Sequence, residues 1–336
     1  MFREAAEAPS RVRAQLAANA PAARALADRL RAAPPRAVVT LGRGSSDHAA
    51  TFARYLIETR LGIVTGSAAP SVSSIYDSAP GMKDSLCLAI SQSGQSPDLL
   101  AAAQAAKAAG GFLVALVNDE ASPLAALADA ALPLKAGPEL SVAATKSYIA
   151  ALAGVVQLVA AWTEDTELAE ALDGLPALLG KAWALDWNAA LPHLVNARSL
   201  YVVARGLGFG VAQEAALKFK ETCGVHAEAF STAEVRHGPM ALIGPGFPVL
   251  AFTQDDGTRE GVDAVIAACV GQGAEVIKVG GGAQPGVLAL AAVSAHPVLE
   301  PIACVQSFYR LVNALAVARG FNPDQPPHLA KVTETL

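Results

Sequence analysis

The stretch Ala37-Val38-Val39-Thr40-Leu41 is apolar on both of its faces, and glycine and serine follow it up to Ser46. A strand that is apolar on both faces is typical of a parallel sheet covered by helices on its two sides. The pattern therefore predicts a short buried strand, a polar turn and a helix from about residue 47 to 60. Two further strands are predicted at 86–90 and 112–117, with helical stretches between them.

The same pattern recurs 162 positions later in the chain. An apolar stretch at 199–204 is followed by Arg205-Gly206, as Arg43-Gly44 follows the first stretch. Residues 251–254 repeat the character of 89–92 at the same offset. Three strand-plus-turn units in register predict two joined copies of one α/β domain.

The predicted organisation has five parts. It comprises an N-terminal helical arm (1–34), a first α/β domain (35–162), a helical linker (163–196), a second α/β domain (197–321) and a C-terminal tail (322–336). Within the linker, Gly174, Pro176, Gly180 and Pro192 are expected to break the helices.

Composition narrows the classes of function. The 336 residues are 53% hydrophobic and 16% charged, with a net charge of -5. The hydrophobic fraction is large enough for two cores. The negative net charge argues against nucleic acid as a partner. An anionic substrate stays compatible, because the N–H groups at a helix start can hold a phosphate without a basic surface.

Cysteine usage and the N-terminus predict a cytoplasmic protein. Cys87, Cys223, Cys269 and Cys304 form no C-x-x-C pair, so all four are expected to be buried thiols. No signal peptide is recognised after Met1. The uncharged run 147–163 is too short to span a membrane and is predicted to be a buried core helix.

Two polar turns are candidates for an anion cradle. Residues 42–46 and 91–96 are rich in glycine and hydroxyls, and they follow predicted strands where ligands bind parallel sheets. The alternative is ordinary turn chemistry, with Ser96 capping a helix that starts at Pro97. Nucleotide-binding glycine motifs and metal-ligand spacings are missing, so no cofactor and no metal are expected.

The second copy adds charged residues to its first helix. Glu214, Lys218 and Glu221 fall on one helical face. They form either an active site or a solvated charged face. His226 and His237 follow, and either belong to that site or pack in loops.

At this point the doubled domain resembles the sugar isomerase (SIS) family. It is similar to the isomerase half of glucosamine–fructose-6-phosphate aminotransferases and to SIS-type glucosamine-6-phosphate deaminases. The matching motifs lie at 91–94, 142–146, 216–221, 226–228, 237–239 and 324–331. The resemblance implies an α/β fold of two tandem SIS domains, each a parallel sheet flanked by helices in a flavodoxin-like three-layer αβα arrangement.

The resemblance also implies residue roles. Glu221 matches the base that moves a proton between sugar carbons 1 and 2, and Lys218 an active-site lysine beside it. His237 matches a ring-opening histidine supplied by the other subunit of a homodimer, and Lys331 a tail lysine that forms a Schiff base. Substrate and phosphate binding is implied for Gly44, Ser45, Ser46, Ser91, Gln92, Ser93, Ser96, Val142 and Ala144.

Two departures from the aminotransferase shape the functional prediction. No glutaminase domain with a cysteine nucleophile precedes the first strand, and the start of the chain resembles the opening of the isomerase half, so a complete protein is expected. Ala144 stands where the aminotransferase usually has serine. The predicted reaction converts glucosamine 6-phosphate and water to fructose 6-phosphate and ammonia. Alternatives are a deaminase for galactosamine 6-phosphate or a fructosyl-amine 6-phosphate, amination fed by a partner, and a non-catalytic sensor.

Overall fold

The computed structural model describes residues 1–78 and 80–331, and this part of the chain contains two parallel sheets of five strands each. The first sheet has the order β2-β1-β3-β4-β5, and its strands are β1 (Ala37–Leu41), β2 (Thr65–Ser67), β3 (Ser85–Ser91), β4 (Phe112–Val117) and β5 (Ala130–Pro133). The second has the equivalent order β7-β6-β8-β9-β10, with β6 (Ser199–Ala204), β7 (His226–Ser231), β8 (Pro248–Phe252), β9 (Glu275–Val279) and β10 (Val287–Leu290). The strand order 2-1-3-4-5 in both sheets is the flavodoxin-like one, which confirms the predicted fold class.

Helices flank both sheets. In chain order they are α1 (Phe2–Ala6), α2 (Ala8–Ala32), α3 (Ser45–Leu61), α4 (Ser71–Ser74), α5 (Pro97–Ala108), α6 (Pro123–Leu127), α7 (Lys146–Thr163), α8 (Thr166–Asp173), α9 (Leu175–Ala184), α10 (Leu191–Leu194), α11 (Gly208–Cys223), α12 (Arg259–Gly271) and α13 (Glu300–Ala318). Short 3-10 turns lie at Asn188–Ala190, Glu234–His237 and Pro239–Leu242.

The described chain divides into two compact units. The β1–β5 unit contains Ser10–Glu139 and Lys146–Gly174, together with Ala330 and Lys331. The β6–β10 unit contains Met1–Pro9, Leu140–Thr145 and Leu175–Leu329. Gly174 is the last residue of the β1–β5 unit before Leu175 begins the longest segment of the β6–β10 unit.

The repeat is visible in the helix ends as well as in the strands. Gly62 ends α3 with a φ of 67°, and Gly224 ends α11 with a φ of 60°, 162 positions later. Glycine is the residue that adopts this left-handed conformation without a steric cost. The offset is lost after the fourth strand of each sheet, since β10 starts at Val287, only 157 positions after β5 starts at Ala130.

The helix breaks predicted in the linker are partly wrong. Gly174 does end α8, and Pro176 is tolerated as the second residue of α9, where its missing N–H costs little. Gly180, however, lies inside α9. A glycine within a helix costs about 1 kcal/mol, and the packing of α9 against α13 offsets that cost.

Two helices, α7 and α13, are long and apolar enough to cross a membrane by length and composition. Within the structure, however, 83% of α7 and 72% of α13 are buried against other parts of the protein. Helix α7 starts at Lys146 and ends at Thr163, so the prediction of a buried core helix at 147–163 is confirmed.

Candidate active site

The two predicted cradle turns follow β1 and β3, which are adjacent strands of the first sheet. Gly44 precedes α3 with a φ of 53°, a conformation that favours glycine. The Arg43 side chain donates from Nε to the Asp98 carboxylate at 2.8 Å, and Asp98 is only 1% exposed at the start of α5. This ion pair, in which Asp98 is buried and Arg43 is exposed, ties the turn after β1 to the turn after β3.

The turn after β3 is closed by its own serine. The Gly94 N–H donates to Ser91 Oγ at 2.9 Å, with Gly94 at a φ of 64°. A Cβ at position 94 would lie 2.7 Å from Ser122 Cβ, closer than real Cβ contacts come. Only glycine fits here without a shift of Ser122.

Three polar side chains of these turns are not used by the protein itself. Within residues 1–78 and 80–331, Ser46, Gln92 and Ser96 have no side-chain hydrogen bond to the protein, although all three are half-buried. Ser96 does stand at the N-cap of α5, with Pro97 as the first helical residue, but its hydroxyl makes no capping bond. Simple capping therefore does not explain Ser96. Ser93 accepts a long bond of 3.4 Å from Gln95 N, and Ser45 and Gly44 lie beside Ser46.

The charged residues of α11 form a buried cluster, so the interpretation as a solvated face is wrong. Lys218 Nζ lies 3.1 Å from Glu214 Oε1 and 2.7 Å from Glu221 Oε2. The side chains of Lys218 and Glu214 are 0% exposed. The Tyr309 hydroxyl, from α13, donates to Glu214 Oε1 at 3.0 Å.

The cluster keeps Lys218 protonated. Burial lowers the pKa of Lys218, but attraction to Glu214 and Glu221, with the hydrogen bonds they accept, outweighs burial and raises the pKa above its ordinary value. Lys218 is therefore a fixed positive charge near neutral pH. It is not a free amine of the kind that adds to a carbonyl.

The two carboxylates of the cluster differ in access. The Glu221 side chain is 20% exposed, whereas Glu214 is sealed. A reacting molecule can reach Glu221 and cannot reach Glu214. Glu214 was placed on this face from the sequence but was not selected as a site residue, because burial and the bond from Tyr309 are long-range features.

The two histidines lie outside this cluster. His237 ends the 3-10 turn Glu234–His237 and is exposed. His226 begins β7 and is also exposed, so it belongs to a strand and not to a loop as one interpretation had it. No hydrogen bond within the described part of the chain joins either histidine to α11.

Lys331 is paired with a carboxylate that the sequence did not single out. Its Nζ lies 3.7 Å from Glu139 Oε2, and both residues belong to the β1–β5 unit. The Glu139 side chain is 0% exposed and accepts from Ser147 Oγ at 2.5 Å. A buried carboxylate is thus the partner of the tail lysine.

Val142 and Ala144 lie in a short segment of the β6–β10 unit. The Val142 N–H donates to the Asp324 carbonyl at 3.2 Å, which joins this segment to the start of the tail. Ala144 is half-buried and offers only a methyl group.

The cysteines behave as predicted. All four are free and buried, and burial raises the pKa of Cys87 and of Cys304 to about 12. They are therefore protonated and unreactive near neutral pH. In residues 1–78 and 80–331, no group of three or more His, Cys, Asp or Glu side chains is arranged to hold a metal ion.

The sequence profile of the SIS domain matches residues 33–161 and 193–294, which are the stretches that carry the two sheets. The chain belongs to the SIS domain family. Its α/β architecture and its repeat agree with that family.

The SIS chain is similar both to curated proteins and to solved structures. It is 33% identical over 316 residues to a glutamine–fructose-6-phosphate aminotransferase of Aeropyrum pernix, covering 88% of this chain and 50% of that protein. It thus spans about half the length of the curated relatives it matches. Among solved structures, one from Silicibacter pomeroyi, provisionally named a phosphosugar isomerase, is 40% identical with a TM-score of 0.92, over 96% of this chain and 99% of that one. A glucosamine-6-phosphate deaminase of Thermotoga maritima shares the fold, with a TM-score of 0.79 at 22% identity over 99% of both chains.

Proposed function

We propose that this SIS protein is a glucosamine-6-phosphate deaminase, which converts glucosamine 6-phosphate and water to fructose 6-phosphate and ammonia. The observation that carries the proposal is the position of Glu221. It is the one carboxylate of the α11 cluster that solvent reaches, and Lys218 holds it at 2.7 Å. Moving a proton between two sugar carbons requires a base held in this way.

Glu221 acts as the proton carrier in the proposed mechanism. It removes the proton from carbon 2 of the opened amino sugar and returns it to carbon 1, which gives the imine of the ketose. Water then adds to the imine carbon, and ammonia leaves. The fixed charge of Lys218, whose Nζ lies 2.7 Å from Glu221 Oε2, orients the Glu221 carboxylate.

The turns after β1 and β3 bind the phosphate in this proposal. Ser46, Gln92 and Ser96 have side chains that no described protein group satisfies. Hydroxyl, amide and helix-start N–H groups are the donors that hold phosphate oxygens. Ser91 shapes the turn by accepting the Gly94 N–H.

The remaining roles follow the family resemblance and are also proposals. Lys331 closes over the sugar, and its pairing with Glu139 holds the tail between turnovers. His237 opens the ring in the partner subunit of a homodimer, which its exposure allows. The four free, buried cysteines support a cytoplasmic location.

A second candidate is the reverse reaction, with ammonia supplied by a separate protein. The similarity to about half of the Aeropyrum pernix aminotransferase favours it. Galactosamine 6-phosphate differs from glucosamine 6-phosphate only in the stereochemistry of one hydroxyl. Ala144 lacks the hydroxyl of the serine that is usual at this position, and it therefore bears on the choice between the two substrates. A sensor would bind the sugar phosphate without turnover.

The test measures ammonia release from glucosamine 6-phosphate and, in parallel, from galactosamine 6-phosphate. Glu221→Gln is expected to lower the rate by about 10² to 10⁴, the usual contribution of a general base. Glu260→Gln, at an exposed glutamate in the first turn of α12, is the matched control and should keep full activity. The preferred epimer identifies the substrate.

Two outcomes contradict the deaminase. Release that survives Glu221→Gln would remove Glu221 from the chemistry. Absence of release from either sugar, with tight binding of fructose 6-phosphate, would favour the sensor or the ammonia-fed amination, and added ammonium would then separate those two.

A further inference from the structure

The turn between β8 and α12 is the second copy's equivalent of the phosphate-binding turn between β3 and α5. Both turns join the same elements and lie 162 positions apart. The polar types of the first turn are kept, with Thr253 in place of Ser91, Gln254 in place of Gln92 and Thr258 in place of Ser96. The main change is at the position of Gly94, where the second copy has Asp256.

The Asp256 carboxylate occupies the centre of its own turn. Its Oδ1 accepts from Thr258 N at 2.8 Å and from Thr258 Oγ1 at 2.5 Å. Its Oδ2 accepts from Gln254 Nε2. Backbone N–H, hydroxyl and amide donors are the groups that a phosphate oxygen would use.

The two copies therefore differ in whether the polar side chains of this turn are satisfied by the protein itself. In the first copy, Gln92 and Ser96 lack a side-chain partner among the described residues, and Gly94 contributes no side chain. In the second copy, the equivalent Gln254 and Thr258 are satisfied by a carboxylate of the chain itself.

The filled turn contacts the start of the helix that carries Glu221. A Cβ at Gly208, the first residue of α11, would lie 2.9 Å from Gln254 Oε1. A Cβ at Gly206 would lie 3.3 Å from Thr258 Cγ2. The two side chains that Asp256 holds are thus those that pack against the turn leading into α11.

We propose that the second SIS domain retains an anion cradle that Asp256 fills permanently, and that this internal anion positions α11 for catalysis. Asp256 is a positioning residue, because its carboxylate acts through Gln254 and Thr258. Removal of the carboxylate opens a site for a small external oxyanion.

The surrounding charges decide which anion can enter. Glu300 is 8% exposed and accepts the Asp255 N–H at 2.6 Å, while the Asp255 side chain itself is exposed. Arg259 donates from Nε to the Gln254 carbonyl at 3.0 Å. Two carboxylates beside the turn disfavour a dianion, so formate, a small monoanion with the geometry of the missing group, is the probe.

The experiment uses Asp256→Ala in the full chain. Asp256 does not have a positive φ, so alanine is compatible with its backbone. Loss of hydrogen bonds to a charged acceptor is expected to lower ammonia release by about tenfold or more. Formate should restore the rate with a saturable dependence on its concentration. Asp255→Ala, at the exposed neighbour, is the matched control and should neither lose activity nor respond to formate.

A second readout separates this proposal from the proposed function, on which its effect on catalysis rests. A ligand that binds the folded state raises the melting temperature. Formate should raise the melting temperature of Asp256→Ala and leave that of the wild type unchanged, whatever reaction the protein catalyses. Asp256→Asn, which keeps the site filled with a neutral group, should not respond to formate.

Either of two results would overturn the inference. One is an Asp256→Ala protein that keeps full activity. The other is a loss that formate does not restore, together with a melting temperature that formate does not raise. Ammonia release absent from every form, with the formate effect on melting present in Asp256→Ala alone, would remove the deaminase and keep the filled cradle.

Discussion

At the scale of single residues, the decisive feature is the lysine between two glutamates on α11. Lys218 has no exposed surface, and it contacts both Glu214 and Glu221. Breaking a buried ion pair costs far more than losing a surface pair, because a charge is left without a partner in a medium that solvates it poorly. Lys218 therefore contributes both to the stability of α11 and to the orientation of Glu221, the proposed base.

Lys218→Met is expected to lower the free energy of unfolding by about 3–5 kcal/mol, because two carboxylates lose their shared cation. Urea unfolding measures it. The matched control is Lys278→Met, at a second buried lysine whose partner Asp263 has a side chain that is 34% exposed. Lys278→Met should lower the free energy of unfolding by less than Lys218→Met does, and equal losses would contradict the prediction.

The same pair gives a pH dependence of defined sign. The pKa of Lys218 is raised in the folded state, so its contribution is complete below the unfolded value of about 10.4 and is lost as pH rises through the folded pKa. The difference in stability between wild type and Lys218→Met should stay constant from neutral pH to about pH 10 and shrink only above it.

At the scale of elements, the turn between β3 and α5 forms part of the proposed phosphate site. Its shape depends on Gly94, which has a φ of 64° and leaves no room for a Cβ beside Ser122. The Gly94 N–H also donates to Ser91 Oγ at 2.9 Å, which closes the turn. The element is thus defined by backbone geometry more than by the hydroxyls that it carries.

Gly94→Ala is expected to weaken both folding and the binding of fructose 6-phosphate. A left-handed φ costs an alanine about 1–2 kcal/mol, and the contact with Ser122 adds to it. The control is Gly62→Ala, which has a φ of 67° but nothing within 4 Å of the added Cβ. It should lose stability by the φ cost alone and keep its sugar-phosphate affinity, measured by calorimetry. Equal affinity in the two variants would separate Gly94 from the binding site.

At the scale of the whole molecule, the proposed roles are divided between two repeats that have diverged. The β1–β5 unit carries the open cradle and Lys331, whereas the β6–β10 unit carries Glu221 and His237. In the second copy, Asp256 accepts hydrogen bonds within the turn after β8, and α11 carries the cluster of Glu214, Lys218 and Glu221. Under the proposed function, the first copy binds the phosphate and the second supplies the base.

The proposed homodimer, with His237 acting in the partner's site, predicts complementation between two inactive variants. Glu221→Gln and His237→Ala should each release little ammonia alone. After subunits exchange in an equal mixture, about a quarter of the sites combine a wild-type Glu221 with a partner's wild-type His237, so about a quarter of the activity should return. Failure of a mixture of proven heterodimers to recover activity would place His237 in its own subunit's site.

Much of this architecture follows from local sequence. The strands β1, β4 and β6 coincide with the apolar stretches that predicted them, because strands buried on both faces leave an uninterrupted apolar signal. The repeat at an offset of 162 positions and the burial of the cysteines could also be predicted from the apolar stretches of the sequence. Gly180 was misjudged because packing of α9 on α13 overrides its weak propensity.

The candidate site likewise has some features that the sequence shows and others that only the tertiary structure shows. The sequence by itself determined the α/β class, the duplication and the motifs at Glu221, Lys218 and the two polar turns, because strand periodicity, helix spacing and turn chemistry are local properties. Only the tertiary structure decided that Lys218 is sealed between two carboxylates, that Glu139 holds Lys331, and that Asp256 accepts hydrogen bonds from Gln254 and Thr258. Burial and contact between distant residues determine the charge and access of these groups, and neither is encoded in any short stretch of the chain.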